Sequence, residues 1–187
     1  MNEFEKASFR KKVSNMFIQY LIAISKGNID DVLHFIKEQP RQYAEHIIDN
    51  LKKQNITQKY DELNTNNINM DVISDDKKAT IYGTAITIDC LDYQLDKNNK
   101  VVSGSKDCKA MKTYFAKIIR EKKADESGII RRCPGCGHSS DVNYSGKCQY
   151  CGAIFNQEDY DYQILEIKEW GVLWKNILSY SYLFFLF

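Results

Sequence analysis

The stretch Thr80–Tyr93, with the sequence TIYGTAITIDCLDY, decides the fold class of this 187-residue chain. Its many β-branched and aromatic residues predict one long β-strand. The loop Asp96–Lys100 follows with strong turn chemistry, and a second turn at Ser103–Ser105 leads into another predicted strand, Met111–Arg120. Since short turns join consecutive strands in antiparallel order, this part of the chain predicts an antiparallel sheet.

Immediately upstream, the chain passes from a polar stretch, Thr57–Asn67, into an alternating pattern of apolar and polar residues. Ile68, Met70 and Val72 show the period of two that is typical of a strand, and Ser74–Lys77 predicts a turn into the long strand. The change of period therefore marks the start of the sheet.

The first third of the chain shows the three-or-four spacing of apolar residues that amphipathic helices have. This spacing predicts three helices, which are Phe4–Lys26, a short one capped by Asn28 or Asp30 and ended by Pro40, and Arg41 to about Gln54. His34 and His46 lie among the apolar residues, and we interpret them as packing or boundary histidines. Helices followed by antiparallel strands indicate an α+β fold with the helices packed on one face of the sheet.

Downstream of the sheet, four cysteines form two pairs, Cys133 with Cys136 and Cys148 with Cys151. Two residues between cysteines let both thiolates of a pair reach one ion, and two pairs complete the tetrahedral four-sulfur shell of structural Zn²⁺. Four thiolates leave no position for a water molecule, so a catalytic metal is not expected. We predict a zinc ribbon over residues 129–156.

Disulfides or a redox pair are the alternatives to zinc. A disulfide needs an oxidising compartment, yet Met1–Phe9 carries Glu3 and Glu5 and no apolar signal segment. We therefore expect a cytoplasmic protein, with the inner face of the cell membrane as a peripheral location. Cys90 and Cys108 are predicted to be free thiols on the sheet.

The composition, with 43% hydrophobic and 27% charged residues, predicts one folded body with a small added module. We divide the chain into a body over 1–126, the ribbon over 129–156 and a C-terminal segment over 157–187. The end of that segment, Ile177–Phe187, is almost wholly apolar but too short to cross a bilayer alone. Docking into the core or a pocket, and an aberrant chain end, are favoured over an interfacial membrane anchor.

Several of these features together resemble one protein family. They are the amphipathic helices, the strand end Asp89–Tyr93 (DCLDY), the segments Lys100–Ser105 (KVVSGS) and Met111–Phe115 (MKTYF), and the two cysteine pairs. Over roughly residues 5–155, the chain is similar to small bacterial proteins of the family named after subunit forty-four of the mitochondrial inner-membrane import translocase. It is also similar to the C-terminal domain of that mitochondrial tether.

The resemblance implies a cone-shaped fold of the nuclear-transport-factor-two-like type, in which a curved antiparallel sheet and its helices enclose an apolar pocket. It further implies a non-catalytic, membrane-associated scaffold that binds a protein partner or an apolar ligand such as a peptide or a lipid. Import activity is not implied, because the mitochondrial member has no ribbon and many bacterial relatives carry membrane helices that are not seen in this sequence.

An acid-base enzyme on the same fold is a second hypothesis. Such chemistry needs a carboxylate or histidine with a shifted pKa in an apolar cavity. Asp89 or Asp92 with His34 or His46 is the combination that the sequence offers. Residues three apart in a strand lie on opposite faces, so at most one of the two aspartates is expected to face a pocket.

Nucleic-acid binding through the ribbon is a third hypothesis. The net charge of +1 argues against nucleic acid as an obligate partner. Around the ribbon, Arg131, Arg132 and Lys147 are opposed by acidic residues at 141, 158, 159 and 161. No nucleic-acid partner is therefore expected.

Overall fold

Two α-helices lie at the start of the computed structural model, which describes residues 3–121, 130–132, 139–141 and 162–174, with side chains in 3–121 and 162–170. Helix α1 is Glu3–Lys26 and helix α2 is Glu38–Lys53. Gly27 follows α1 with a φ of 70°, the left-handed conformation that commonly ends helices, so the prediction of the first helix is confirmed. Neither helix in the described part of the chain has both the length and the apolar character needed to cross a bilayer.

The prediction of a second helix that ends at Pro40 is wrong. Only a single 3-10 turn, Asp30–Val32, forms there, and the Asn28 side chain accepts a hydrogen bond of 2.8 Å from the Asp30 N–H. Pro40 is instead in the first turn of α2, where a backbone N–H has no partner within the helix and proline is tolerated. Its carbonyl accepts a hydrogen bond of 2.7 Å from the buried Tyr20 hydroxyl, which ties α2 to α1.

Four long strands form one antiparallel sheet in the order β1-β2-β3-β6. They are β1 Thr57–Asp75, β2 Ala79–Leu95, β3 Val101–Glu121 and β6 Tyr162–Trp174. A separate antiparallel pair is formed by β4 Ile130–Arg132 and β5 Ser139–Asp141. Helices that precede an antiparallel sheet are the α+β architecture that the sequence predicts, and this coarse prediction is confirmed.

The first three strands differ from the sequence prediction at two places, and β6 is not predicted. β1 begins at Thr57, so the polar stretch Thr57–Asn67 belongs to the strand. Because β1 is an edge strand whose side chains are mostly exposed, it needs few apolar residues. At Ser103–Ser105, β3 continues through a register shift instead of a turn, with Gly104 still paired to Tyr93. The predicted loop Asp96–Lys100 is confirmed between β2 and β3.

One face of the sheet packs against the helices and holds the core. Phe9 of α1 contacts Tyr82 of β2 and Tyr162 of β6, with ring centroids 4.8 and 5.2 Å apart, and Phe17 contacts Tyr114 of β3 at 5.9 Å. None of these five rings is more than 5% exposed. They fill the space between the sheet and the helices where the resemblance implied an apolar pocket.

Both edge strands carry contacts that occupy part of their free backbone groups. On β6, Ile164 exchanges backbone hydrogen bonds of 2.7 and 2.9 Å with Phe35 and Lys37, and the Gln39 side chain bonds to both the N–H and the carbonyl of Ile167. Side chains of α1 bond to β1 on the other edge. These contacts limit pairing with another strand at the edges. Among the described residues, no helix packs on the opposite face of the sheet.

The cysteine-bearing segment is inserted between two neighbouring strands of the sheet. β3 and β6 are antiparallel neighbours, and the last pair of their ladder joins Arg120 to Tyr162. All four cysteines lie in the chain between these two residues. β6 comes from the predicted C-terminal segment 157–187, whose apolar end Ile177–Phe187 lies outside the described residues, and is part of the same sheet as β1, β2 and β3. The inserted segment therefore leaves and re-enters the sheet at one end.

Candidate functional site

An open groove crosses the outer face of the sheet, which is the face turned away from the helices. Its volume is about 830 Å³, and its lining comes from β1, β2, β3 and β6 and, beside β6, from Gln39 and Tyr43 of α2. Gly83 and Ala85 of β2 form a floor of small residues, with Ile73 of β1 on one side and Phe115 of β3 on the other. We call this feature the outer groove. Its volume is within the range of sites that bind small ligands or a few side chains.

A β-bulge places the Ile73 side chain over Gly83. The pairing of β1 with β2 skips Ile73, which is the extra residue between Val72 and Ser74. A Cβ atom on Gly83 would lie 2.9 Å from Cδ1 of Ile73, so the absence of a side chain at Gly83 makes room for this contact. Ile73 is nevertheless 57% exposed. One wall of the groove is therefore an apolar side chain held largely in solvent.

A second β-bulge places Trp170 beside Phe115. In β6, the residues on either side of Trp170 pair with consecutive residues of β3, so Trp170 is the extra residue. The two rings contact edge to face, with centroids 5.8 Å apart and an interplanar angle of 67°. Trp170 is 72% exposed and Phe115 is 44% exposed. Two exposed aromatic rings in contact form the kind of apolar patch that marks interaction sites.

Charged side chains of both signs surround the apolar centre of the outer groove. Lys117 Nζ lies 2.8 Å from Glu166 Oε2, which joins β3 to β6 by an exposed ion pair. Asp71 of β1 and Lys168 of β6 line the groove from its two opposite strands. Because the lining carries both signs, it does not select for a strongly charged ligand.

A buried lysine, Lys112, lies at the centre of a second cluster on the helix-facing side of the sheet. Its Nζ is 2.9 Å from Asp92 Oδ2 and 3.1 Å from Glu169 Oε1, and its side chain is 6% exposed. The same atom lies 5.2 Å from the centre of the Tyr60 ring. Gln58 donates a hydrogen bond of 2.7 Å to the other oxygen of Asp92. The buried charge is thus paired, as burial of an ammonium requires.

Burial and the neighbouring groups together set the protonation states of this cluster. Burial by itself disfavours the Lys112 ammonium, but the acidic side chains around it raise its pKa above the usual value. Desolvation raises the pKa of Tyr60 and of Tyr114, and it raises the pKa of Cys90 to about 11. At neutral pH the lysine therefore stays charged, whereas the two tyrosines and the thiol stay neutral. None of these four groups exchanges protons easily near pH 7.

Glu169 links the buried cluster to the outer groove. It lines the groove together with Tyr43 of α2, and its carboxylate forms an ion pair with the Lys112 ammonium. Its side chain is 28% exposed, compared with 6% for Lys112. Trp170, the next residue, belongs to the exposed aromatic pair. A displacement of β6 at this point would therefore change both features together.

The structure separates the residues that were candidates for acid-base chemistry. Asp92 lies with Lys112 on the helix-facing side, whereas alternation along β2 places Asp89 on the opposite face, as expected for residues three apart. His46 is exposed on α2, where its ring lies next to the Asn50 side chain. The close charged partner of Asp92 is therefore a lysine and not this histidine.

His34 is at the other end of the sheet from Asp89. Gln163 donates a hydrogen bond of 3.2 Å to the His34 carbonyl and pairs with Ile119 of β3, whereas Asp89 pairs with Met111 of the same strand. Eight strand residues separate Ile119 from Met111, which corresponds to roughly 26 Å. Burial lowers the pKa of His34. These positions do not bring His34 and Asp89 into one cavity.

The metal ligands that the sequence predicts, Cys133, Cys136, Cys148 and Cys151, lie outside the described residues. The described strands β4 and β5 flank the first pair, because Arg132 precedes that pair directly and is paired with Ser139. Cys90 and Cys108 lie on the sheet and, among the described residues, form no disulfide, as predicted. The hairpin brings together the two ends of the loop that carries the first cysteine pair.

Sequence reasoning missed both Lys112 and the outer groove. A signal for Lys112 was present, because it occupies an inward position in the run of alternating apolar residues from Ala110 to Ile118. The groove had no comparable signal, since its Ile73 wall and the adjacent contact between Trp170 and Phe115 both depend on bulges. Comparison with known proteins finds no family model that matches this chain and no curated protein that is significantly similar to it.

Proposed function

We propose that this protein is a non-catalytic scaffold module that holds an apolar segment of a protein partner in the outer groove. The observation that carries the proposal is the exposed aromatic pair, Phe115 and Trp170, beside a cavity of about 830 Å³. Large apolar side chains in water are unfavourable, and patches of them on a folded protein mark surfaces that a partner covers.

The shape of the groove favours a chain over a compact small molecule. It is open and extends across all four strands of the sheet, so that a polypeptide segment can lie along it. One large side chain of that segment fits between Ile73 and Phe115, over the small residues of the floor. Asp71 and Lys168 at the sides can bond to the polar backbone of the bound segment.

The buried cluster supports binding in preference to proton transfer. General acids and bases work best with a pKa near the working pH. The pKa of Lys112 is raised by its acidic neighbours, and the pKa of Tyr60 and of Tyr114 is raised by burial. In our proposal this cluster fixes β2, β3 and β6 relative to one another and so holds the groove in shape.

The scaffold role is the one implied by the resemblance to the import-translocase subunit family, and the α+β architecture agrees with that family's helices on a sheet. In the same proposal, Cys133, Cys136, Cys148 and Cys151 hold one structural Zn²⁺ in a ribbon. The support for this ribbon is the spacing of the four cysteines and the β4–β5 hairpin around the first pair. A reducing compartment such as the cytoplasm suits such a site.

Titration with a short synthetic peptide of alternating leucine and serine tests the binding role. In a Trp174→Phe protein, Trp170 is the only tryptophan, and its fluorescence reports on the aromatic pair beside the groove. We expect its emission to shift to shorter wavelength and acrylamide quenching to fall as the peptide binds. Phe115→Ala should weaken binding about fivefold or more, the loss of roughly 1 kcal/mol for a truncated contact.

The matched control is Val102→Ala, which shortens another exposed apolar residue, at 50% exposure, near the start of β3 and outside the groove lining. It should leave the affinity unchanged. The proposal is wrong if no apolar peptide causes a saturable change, or if Phe115→Ala and Val102→Ala bind equally well.

A further inference from the structure

Two charges in the lining of the outer groove are not neutralised by an ion pair. The charged residues of the lining are Asp71, Lys117, Glu166, Lys168 and Glu169. Lys117 is paired with Glu166, and Glu169 is paired with Lys112. Asp71 and Lys168 are exposed, and neither forms an ion pair within the described part of the chain. The groove therefore offers one carboxylate and one ammonium group to a ligand.

The register of the sheet fixes the separation of these two charges. Asp71 of β1 pairs with Gly83, and Gly83 pairs with Lys117 of β3. Lys168 of β6 pairs with Phe115, which lies two residues from Lys117 on the same strand. Three strand intervals of about 4.8 Å separate β1 from β6, and two residues along a strand add about 7 Å. The Cα atoms of Asp71 and Lys168 are therefore roughly 16 Å apart.

The apolar part of the groove lies between the two charges. A line from Asp71 to Lys168 passes over the small residues Gly83 and Ala85 of β2 and then beside the Phe115 ring of β3. A ligand that uses all three parts must present a cation, an apolar group and an anion in this spatial order. Its net charge is then zero, which agrees with the mixed signs of the lining.

An extended polypeptide has the spacing that this order requires. In an extended chain the side chains at positions i, i+2 and i+4 share one face, and the outer two are about 13 Å apart. The long side chains of lysine, arginine and glutamate cover the remaining distance. A basic residue at i, a large apolar residue at i+2 and an acidic residue at i+4 match the groove. The reverse order matches equally well, because the segment can run in either direction.

We infer that the outer groove selects an extended partner segment in which a central apolar residue has a basic residue two positions to one side and an acidic residue two positions to the other. The basic side chain binds Asp71, the acidic one binds Lys168, and the apolar one lies between Gly83 and Phe115. This inference rests on the proposed function and adds the charge pattern of the partner.

Fluorescence anisotropy with labelled synthetic peptides and the full chain tests this pattern. The peptides SKSLSES and SESLSKS carry it in the two directions, and SSSLSSS lacks the charges. Exposed ion pairs are individually weak, so at least one of the first two peptides should bind about fivefold more tightly than SSSLSSS. SKSLSKS and SESLSES should bind no more tightly than SSSLSSS. High salt should remove the preference, because it screens exposed charges.

Charge-reversal variants show whether the preference comes from these two residues. Lys168→Glu should change the preferred peptide to SKSLSKS, and Asp71→Lys should change it to SESLSES. The neutral variants Asp71→Asn and Lys168→Gln should remove the preference without reversing it, which provides a test if a reversal variant fails to fold. The matched control is Lys100→Glu, at an exposed loop position outside the groove lining, which should keep the original preference. Circular dichroism identifies any unfolded variant.

The inference is wrong if neither of the two patterned peptides binds more tightly than SSSLSSS. It is also wrong if Lys100→Glu changes the preference as Lys168→Glu does, since the net charge of the protein would then be the cause. Peptide binding that weakens as the protein concentration rises would identify a second copy of the chain as the occupant and would also overturn the inference.

The same peptides separate this inference from the proposed function. If all leucine-containing peptides bind equally, the groove holds an apolar segment and the inference about charge fails. If SKSSSES binds as tightly as SKSLSES, the charge preference holds and the role of the apolar groove fails. Tight binding that needs both the leucine and the two charges supports both.

Discussion

The Lys112 ammonium lies 2.9 Å from the Asp92 carboxylate at a position where the lysine side chain is 6% exposed. Lys112→Met would leave the carboxylates of Asp92 and Glu169 without their shared cation. Removal of one partner from a buried ion pair costs about 3–5 kcal/mol, since the remaining charge stays desolvated. We expect urea denaturation to show a loss of stability of this size.

Lys109→Met is the matched control for Lys112→Met. Lys109 lies on the same strand and pairs with Glu62 at 2.7 Å, but both side chains are exposed, at 39% and 60%. Exposed pairs contribute about 0–1 kcal/mol, so this variant should unfold close to the wild type. Similar losses of stability for the two variants would mean that the buried cluster stabilises the sheet no more than an exposed ion pair does.

Gly104 is the second position where a small change should have a large effect. Its φ is 76°, and a Cβ there would lie 2.7 Å from the Tyr93 Cα and against the Asp92 carbonyl. Gly104→Ala should therefore destabilise the protein by about 2–4 kcal/mol in urea titrations. Gly83→Ala should cost less than about 1 kcal/mol, because its Cβ meets only the flexible end of Ile73. Equal losses of stability in Gly104→Ala and Gly83→Ala would contradict the conclusion that the backbone conformation and contacts of Gly104 require glycine.

Cys90 should make the protein less stable at alkaline pH. Burial raises the pKa of its thiol to about 11 from a usual value of 9.0. Above the usual value the unfolded chain loses this proton while the folded chain keeps it, so stability is fully present below about pH 9 and falls up to about pH 11. Urea midpoints measured across this range should fall more steeply for the wild type than for Cys90→Ala. Parallel slopes would exclude the thiol as the cause.

Removal of one predicted metal ligand should affect the inserted segment alone. We expect one zinc ion for each chain of the native protein, and less than that in Cys148→Ala. Metal binding supplies about 10–16 kcal/mol in small zinc modules, so the β4 and β5 amides should lose their protection from hydrogen exchange. The amides of β2 and the rings of α1 should keep their native protection and spectra. Collapse of the whole chain would contradict the division into two units.

The alternation of buried and exposed residues made the sheet predictable. The bulges that interrupt this alternation made the groove unpredictable. From Thr80 to Ile88 buried and half-buried positions alternate, and the strand predicted over Thr80–Tyr93 agrees with β2 almost to its ends. β6 escaped recognition because its buried residues Ile164 and Ile167 are three apart, which breaks the period. The bulges at Ile73 and Trp170 depend on which strand lies alongside, and that information is not local in the sequence.

Lys112 was predictable in part. It occupies an inward position between Ala110 and Tyr114, and a lysine there requires a buried anion. The sequence predicts Asp92 as a candidate residue, with His34 or His46 as its partner. The choice between Lys112 and a histidine depends on the register of β2 against β3, which a single sequence does not determine.

The paired ends of β3 and β6 at Arg120 and Tyr162 also have a mechanical consequence. If a molecule binds the cysteine-bearing segment and a force acts on that molecule, the force is applied to β3 and β6 together and in the same direction. The load is then shared by a central strand and an edge strand, so the edge strand is not peeled away by itself. A tether attached in this way can transmit force into the sheet without opening it from its side.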